Sequence, residues 1–337
     1  MEILTALFLT AVGFTLLIKG ADWLVEGATD FARKYHVSEL VIGLTIVSFG
    51  TSMPELLVNV IASFKESADI AIGNVVGSNI SNTLLILGTT AAITPLAVKR
   101  STVFKEIPFC LLASVILFFM ANDLLIDGYD ISELGRGDGL AFIGFFIIFI
   151  YYTFGIRKQH ADSFTKPSHS MGIAFLLFIG GLLALSAGGE LTVRGAIGIA
   201  QGFGISEALI GLTIVALGTS LPELVTSVVA AMKGRTDISI GNIVGSNIFN
   251  ILWILGVSSI IRPLPFSPAI NTDLLVVVAS VVILFIFIHT GRIHNRLFFW
   301  WKQKEGHMLS RLEGAILLTS YFVYIGYLVL REVGVVV

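Results

Sequence analysis

VIGLTIVSFGTSMPE at residues 41–55 reappears as LIGLTIVALGTSLPE at residues 209–223, and the reading of this pair decides the fold. A second pair follows at the same offset of 168 residues: IGNVVGSNISN at 72–82 and IGNIVGSNIFN at 240–250. The match runs backward, pairing Gly27-Ala28 with Gly195-Ala196 and Ser38-Glu39 with Ser206-Glu207, and forward, pairing Leu87-Gly88 with Leu255-Gly256. No insertion separates these landmarks, so the chain is a duplication whose halves share one geometry.

The surrounding composition says where such a chain lives. Hydrophobic residues make up 55% of the 337 positions and charged residues only 13%, with a mean hydropathy of +0.91. A soluble domain cannot cover that much apolar surface. The 34 glycines and 8 prolines suit close-packed membrane helices. No basic patch with interleaved aromatics is present, which speaks against a nucleic-acid partner. Cys110 stands alone, so neither an intrachain disulfide nor a thiolate metal cluster can form. MEILTALFLTAVG at the start lacks the basic segment and cleavage site of a signal peptide and reads as the first span.

A bilayer core takes about 20 mostly apolar helical residues. Ten segments qualify, near 3–25, 39–64, 70–94, 106–122, 138–156, 171–196, 207–232, 238–261, 270–290 and 312–331. Most Lys and Arg residues, among them Arg33, Lys34, Lys99, Lys105, Lys166, Lys233, Arg235 and Arg311, fall in one set of alternate connections, while Asp123, Asp127, Asp130 and Glu133 crowd a loop of the other set. The positive-inside rule then places both termini outside. The expected architecture is an all-α integral membrane protein: a first repeat over 1–156, a cytoplasmic linker over 157–170 and a second repeat over 171–337. Five spans per half is an odd number, so the second copy enters from the opposite side and the repeats are inverted. That is the architecture of secondary transporters, with the substrate site near the midplane between repeats. Duplication for packing alone would match apolar segments, yet the matched segments here are the most polar ones.

Pro54 and Pro222 lack an N–H and disfavour helix just before them, so each GTSxPE helix is expected to break or bend near Thr51–Met53 and Thr219–Leu221. Positions 48, 51, 52 and 55 share one helical face, presenting Ser48, Thr51, Ser52 and Glu55; its mate presents Ala216, Thr219, Ser220 and Glu223. On the following helices Ser78 and Asn82 are one turn apart, as are Ser246 and Asn250. Every side-chain donor in this set is oxygen, which suits Ca²⁺ and Na⁺ rather than zinc or copper. Glu55 and Glu223 are the clear mid-membrane acids. Facing each other in a bilayer, they need a cation or protons. Asp22, Glu26 and Glu190 lie nearer span ends, where pairing or snorkelling explains them. Ser38 and Ser206 read as N-caps, Asn74, Asn79, Asn242 and Asn247 as caps or bridges for the broken backbone, and the six histidines as solvated loop residues. The basic, aromatic stretch 292–311 reads as an interfacial helix against anionic lipid.

With GTSMPE, GNVVGSNISN, GTSLPE and GNIVGSNIFN in these positions, the chain resembles the sodium/calcium exchanger branch of the calcium/cation antiporter superfamily, over all ten expected spans. The resemblance implies exchange of Ca²⁺ for Na⁺ by alternating access, with the first and sixth spans sliding against the other eight. It implies Glu55 and Glu223 as central ligands, joined by Thr51, Ser52, Ser78, Asn82, Thr219, Ser220, Ser246 and Asn250, with backbone carbonyls from Ser48 and Ala216. The short linker makes this a compact, prokaryotic-type member of the inner membrane. Several relatives carry Asp where Asn250 stands, and potassium-dependent ones use an acid there, so the amides at 82 and 250 argue against potassium co-transport. Proton-coupled relatives carry a carboxylate where Gly77 and Gly245 sit. Proton-coupled divalent or Na⁺/H⁺ exchange through the same glutamates is the alternative reading, and a passive cation channel a further one. The buried residues offer no enzyme's nucleophile–base pair, His-metal motif or nucleotide loop. Expected partners are Ca²⁺, Na⁺ and lipid, with no resident cofactor and no obligatory protein partner.

Overall fold

The computed structural model describes residues 3–126, 128, 131–155, 166–203, 216–297 and 306–332. Helix dominates them, as a chain that must satisfy its own backbone in lipid requires. In chain order the long helices are α1 (Ile3–Tyr35), α2 (Glu39–Thr51), α3 (Met53–Phe64), α4 (Ala68–Ile93), α5 (Thr102–Met120), α6 (Arg136–Gly155), α7 (Met171–Gly202), α8 (Leu221–Met232), α9 (Thr236–Ile261), α10 (Asn271–Leu297) and α11 (Arg311–Glu332). Among the described residues eight are long and apolar enough to cross a membrane, and the bent pair α2–α3 meets the same measure when its two helices are taken together. The helix α8 repeats α3 in length and register, but the segment before it, 204–215, lies outside the described residues. So does the cap expected at Ser206, while Ser38 caps α2 as expected, its Oγ accepting the Val41 N–H at 3.3 Å.

The helices α1 and α7 run well beyond the expected 3–25 and 171–196, because nothing in 26–35 or 197–202 breaks the helical pattern. They cross antiparallel on glycines spaced seven apart, Gly13, Gly20 and Gly27 against Gly181, Gly188 and Gly195. A methyl built on Gly20 would lie 2.9 Å from the Gly181 carbonyl, and one on Gly188 would lie 2.8 Å from Leu17 N. Lipid tails supply no hydrophobic drive between helices, so this backbone-to-backbone contact is what holds the pair.

Other contacts also join one half to the other. Gly88 of α4 packs on Gly314 and Leu318 of α11, and its mate Gly256 of α9 packs on Gly139 and Ile143 of α6. Four short strands, absent from the all-helix expectation, obey the same rule. β1 (Leu96–Val98) pairs antiparallel with β4 (His307–Leu309), and β2 (Glu133–Leu134) with β3 (Leu264–Pro265). They form where Pro95 and Pro263 stop helices and leave backbone groups to be paired. The halves are therefore interlocked through shared surfaces.

These contacts sort the connections into two ends, in the same grouping that the charge pattern produced. One end holds β1–β4, Lys99–Asp237 at 2.6 Å, Arg235–Glu39 at 2.8 Å and Arg33–Ser168 at 2.9 Å. The other holds β2–β3, Arg262–Glu66 at 2.8 Å and Arg331–Asp273 at 3.3 Å. Asp22 and Glu26 are both paired with Lys233, and Glu190 with Arg194, in line with the pairing expected of span-end acids.

Two expectations change. His169 is no mere solvated histidine: its Nδ1 lies 2.8 Å from Oδ2 of buried Asp30, tying the segment before α7 to α1. His289 and His307 each meet the Phe104 ring edge-on, with centroids 5.1 and 5.7 Å away. Histidine 160 falls outside the described residues, as do the linker from 157 to 165 and the stretch 298–305 of the expected interfacial helix; residues 292–297 continue α10 instead. At the centre of the molecule, α4 and α9 are buried along most of their length, while less than a quarter of the most apolar stretch of α1, α6 and α11 is buried. The two central helices carry the GSN motifs.

Candidate cation site

Each GTSxPE segment turns at one residue. Ser52 has φ −85°, ψ 9° and Ser220 has φ −86°, ψ 0°, a shared bridge-region conformation just ahead of the proline that opens the next helix. Between α2 and α3 the bend is 48°. It arises because Pro54 removes an N–H from the ladder while the bonds around it survive: Ser52 N–H still reaches Ser48 O at 3.0 Å and Leu56 N–H reaches Ser52 O at 3.1 Å. The carbonyl of Ser48, expected to face the ion, accepts the Ser52 N–H; Thr51 Oγ1 lies 3.3 Å from it but has a nearer acceptor in the other half. Only the backbone of Ala216 falls within the described residues.

The bends place Glu55 and Glu223 in the first turns of α3 and α8, where the unpaired N–H groups of a helix start favour negative charge. Both are 1% exposed. They meet crosswise. Ser52 Oγ donates to Glu223 Oε1 at 3.0 Å, and Thr219 hydrogen-bonds Glu55. Ser48, Thr51, Ser52, Ser78, Asn82, Ser220, Ser246 and Asn250 are all buried, and Thr219 is half-buried. The structure thus sets each glutamate against a hydroxyl of the opposite half.

A second layer holds the bends in shape. Asn74 Nδ2 donates to Glu55 O at 3.3 Å and to Asn59 Oδ1 at 2.6 Å. Its mate Asn242 donates to Glu223 O at 3.5 Å and to Ser227 Oγ at 3.1 Å. These are the bridges expected of the two asparagines. Asn59 and Ser227 carry no motif that singles them out in the sequence, although each sits one helical turn after its glutamate. Thr51 Oγ1 additionally donates to Asn242 Oδ1 at 3.0 Å, linking the first bend to the second half.

The chemistry of the site shows in what remains unpaired. Glu55 Oε2, Glu223 Oε2, Asn82 Oδ1, Asn250 Oδ1, Ser220 Oγ and Ser246 Oγ are fully buried and have no hydrogen-bond partner in the protein among the described residues. A buried polar atom without a partner costs about 1–3 kcal/mol, and native proteins seldom leave several of them in one place. All six are hard oxygens, two of them on carboxylates, the ligand type that calcium and sodium ions take.

Comparison with known proteins points the same way. The family model described as sodium/calcium exchanger protein matches residues 5–155 and 173–330. The chain is 32% identical over 350 residues to sodium/calcium exchanger MaX1 of Methanosarcina acetivorans, covering 93% of this chain and 95% of that protein. It is 37% identical over 276 residues to inner membrane protein YrbG of Escherichia coli, covering 79% and 82% respectively. A solved structure of the sodium-calcium exchanger NCX_Mj matches with a TM-score of 0.80 at 32% identity, covering 97% of this chain and all of that one.

Proposed function

The chain belongs to the sodium/calcium exchanger family, a family of membrane transporters and not of enzymes, and from that premise we propose that it exchanges Ca²⁺ for Na⁺ at the Glu55–Glu223 site. The observation that carries this reading is the pair of buried glutamates, each bonded by a hydroxyl of the opposite half and each left with an unpaired Oε2. One Ca²⁺ neutralises both carboxylates, and so do two Na⁺, so neither ion can leave without the other's replacing it. Ca²⁺ and Na⁺ are cargo, and no resident cofactor enters the cycle. The ligand set is Glu55, Glu223, Thr51, Ser52, Ser78, Asn82, Thr219, Ser220, Ser246 and Asn250, with backbone carbonyls from Ser48 and Ala216. The architecture is ten spans in two inverted repeats, 1–156 and 171–337, in the inner membrane with both termini outside.

Exchange through one shared site proceeds by alternating access. Around Asn242, α2 closes over α9: a methyl on Gly245 would lie 2.7 Å from Leu44 O, and one on Gly241 would lie 2.9 Å from Leu40 O. Asn242 is 0% exposed, so this approach to the site is packed. The repeat mates of Leu40 and Leu44 are positions 208 and 212, which lie outside the described residues.

Radiolabelled Ca²⁺ uptake into proteoliposomes, with Na⁺ loaded inside and the pH gradient collapsed, tests the proposal. Uptake is expected to require the outward Na⁺ gradient. Uptake that follows a proton gradient, or proceeds without any counterion, overturns it. Within the same assay Ser52→Ala removes the donor to Glu223 Oε1 and is expected to raise half-saturating Ca²⁺ by roughly tenfold, the cost of one lost hydrogen bond to a charged group.

A further inference from the structure

Asn79 and Asn247 stand outside the ligand set, yet they make the bonds that aim it. Asn250 Nδ2 donates to Asn79 Oδ1 at 3.0 Å, and Asn82 Nδ2 donates to Asn247 Oδ1 at 3.0 Å. The two bonds are mates under the repeat, each crossing from one half to the other. All four asparagines are at most 3% exposed.

An amide has two ends of similar shape and opposite character, and only its hydrogen bonds decide which way it faces. Here the decision starts from the backbone. Asn79 Nδ2 donates to the carbonyl of Asn247 at 3.3 Å, and a carbonyl can only accept. That contact turns Asn79 Oδ1 toward Asn250, whose amide must then present Nδ2. The remaining end, Asn250 Oδ1, faces away and is left without a donor. On the other side Asn247 Nδ2 donates to Thr83 Oγ1 at 2.9 Å, Asn247 Oδ1 takes Nδ2 of Asn82, and Asn82 Oδ1 is likewise left unpaired.

We infer that Asn79 and Asn247 are positioning residues whose side-chain oxygens lock the amides of Asn250 and Asn82 with their own oxygens turned to the transported cation. The inference rests on the cation-site reading above and adds a specificity rule to it. An aspartate at 250 has no N–H to offer Asn79 Oδ1, and Asn79 cannot reverse without setting its own oxygen against the Asn247 carbonyl. Amides at 82 and 250 are therefore what this lock accepts, and the formal charge of the site stays at its two glutamates.

Calcium binding by the full-length protein, read as Ca²⁺-dependent thermal stabilisation in detergent, tests this without relying on transport. Asn79→Leu removes the acceptor and is expected to raise half-saturating Ca²⁺ about tenfold or more, the usual scale for losing a residue that orients a metal ligand. In an Asn250→Ala background the same change is expected to do little, because it acts through the amide that is already gone. Asn79→Asp keeps an oxygen toward Asn250 Nδ2 but sets the other against the Asn247 carbonyl, so it is expected to fall between wild type and Asn79→Leu, a partial rescue that a purely space-filling role does not produce. If the leucine prevents folding, Asn79→Ser, smaller and too short to reach Asn250, must give the tenfold shift in its place. An unchanged half-saturation in Asn79→Leu or Asn79→Ser, an equal loss in both backgrounds, or an Asn79→Asp as weak as Asn79→Leu overturns the inference. A wild type that responds to neither Ca²⁺ nor Na⁺ overturns the site reading, and this inference with it. A responsive wild type beside an indifferent Asn79→Leu overturns the inference alone.

Discussion

Glu55→Gln is expected to lower Na⁺-driven Ca²⁺ uptake by about 100-fold or more, because removing one partner of a buried charge group costs about 3–5 kcal/mol and each 1.4 kcal/mol is about tenfold. Glutamine has nearly the volume of glutamate, and its amide can still bond the Thr219 hydroxyl that meets Glu55, so the packing of α3 is retained. What changes is charge. A divalent cation held between the neutral amide and Glu223 is left with one uncompensated positive charge in a region where both native side chains are 1% exposed and water cannot screen it. Glu223→Gln is expected to behave alike, since it occupies the same first-turn position after the same bend. Initial uptake rates in proteoliposomes, normalised to folded, inserted protein, check both. A rate within about threefold of wild type for either variant removes the central claim that the carboxylate pair carries the ion.

The second large effect concerns two neighbouring glycines with opposite surroundings. Gly181→Ala is expected to destabilise the protein by about 1–3 kcal/mol, the range for forcing extra atoms into a packed contact. Its new methyl would lie 2.7 Å from the Gly20 carbonyl and 2.7 Å from Leu24 N, and both are backbone atoms that cannot swing aside. Gly180→Ala, one residue earlier on α7, meets nothing within 4 Å. It is expected to be neutral or to gain up to about 1 kcal/mol from helix propensity. Midpoints of thermal unfolding in detergent separate the two. Equal behaviour of the two variants defeats the reading of α1 and α7 as a glycine-packed pair. Should α1 and α7 slide as one body, Gly181→Ala loosens that body, and the loss then shows in transport rate as well as stability.

Much of this is legible in the sequence alone. The 168-residue offset locates the equivalent landmarks. The prolines locate the bends, since a missing N–H acts on its own helix and needs no tertiary partner. The span-end acids are readable as paired, and Asn74 and Asn242 as braces of the bent backbone. The glycine seam is half visible: Gly27 and Gly195 match as repeat mates, but repeat mates do not touch each other. Gly27 meets Ala174 and Phe178, while Gly195 meets Ala6 and Thr10. The repeat pattern records symmetry, and contact depends on how the two copies are set against each other. The Asp30–His169 link escapes for a similar reason, because its partners are 139 residues apart and belong to no repeated motif.

The sequence by itself determined the membrane class, the duplication, the two bends and the oxygen chemistry of the residues at them, because composition and local backbone sterics act within a few residues of each position. Only the tertiary structure decided which oxygen of each side chain is free. Thr51 and Ser52, adjacent hydroxyls on one helical face, have different acceptors in the other half: Asn242 Oδ1 for Thr51 and Glu223 Oε1 for Ser52. Asn82 and Asn250, equal in sequence to any other asparagine, have their oxygens exposed to the site by Asn247 and Asn79. An amide or hydroxyl is donor and acceptor at once, and its role is set by the neighbours that long-range packing brings to it.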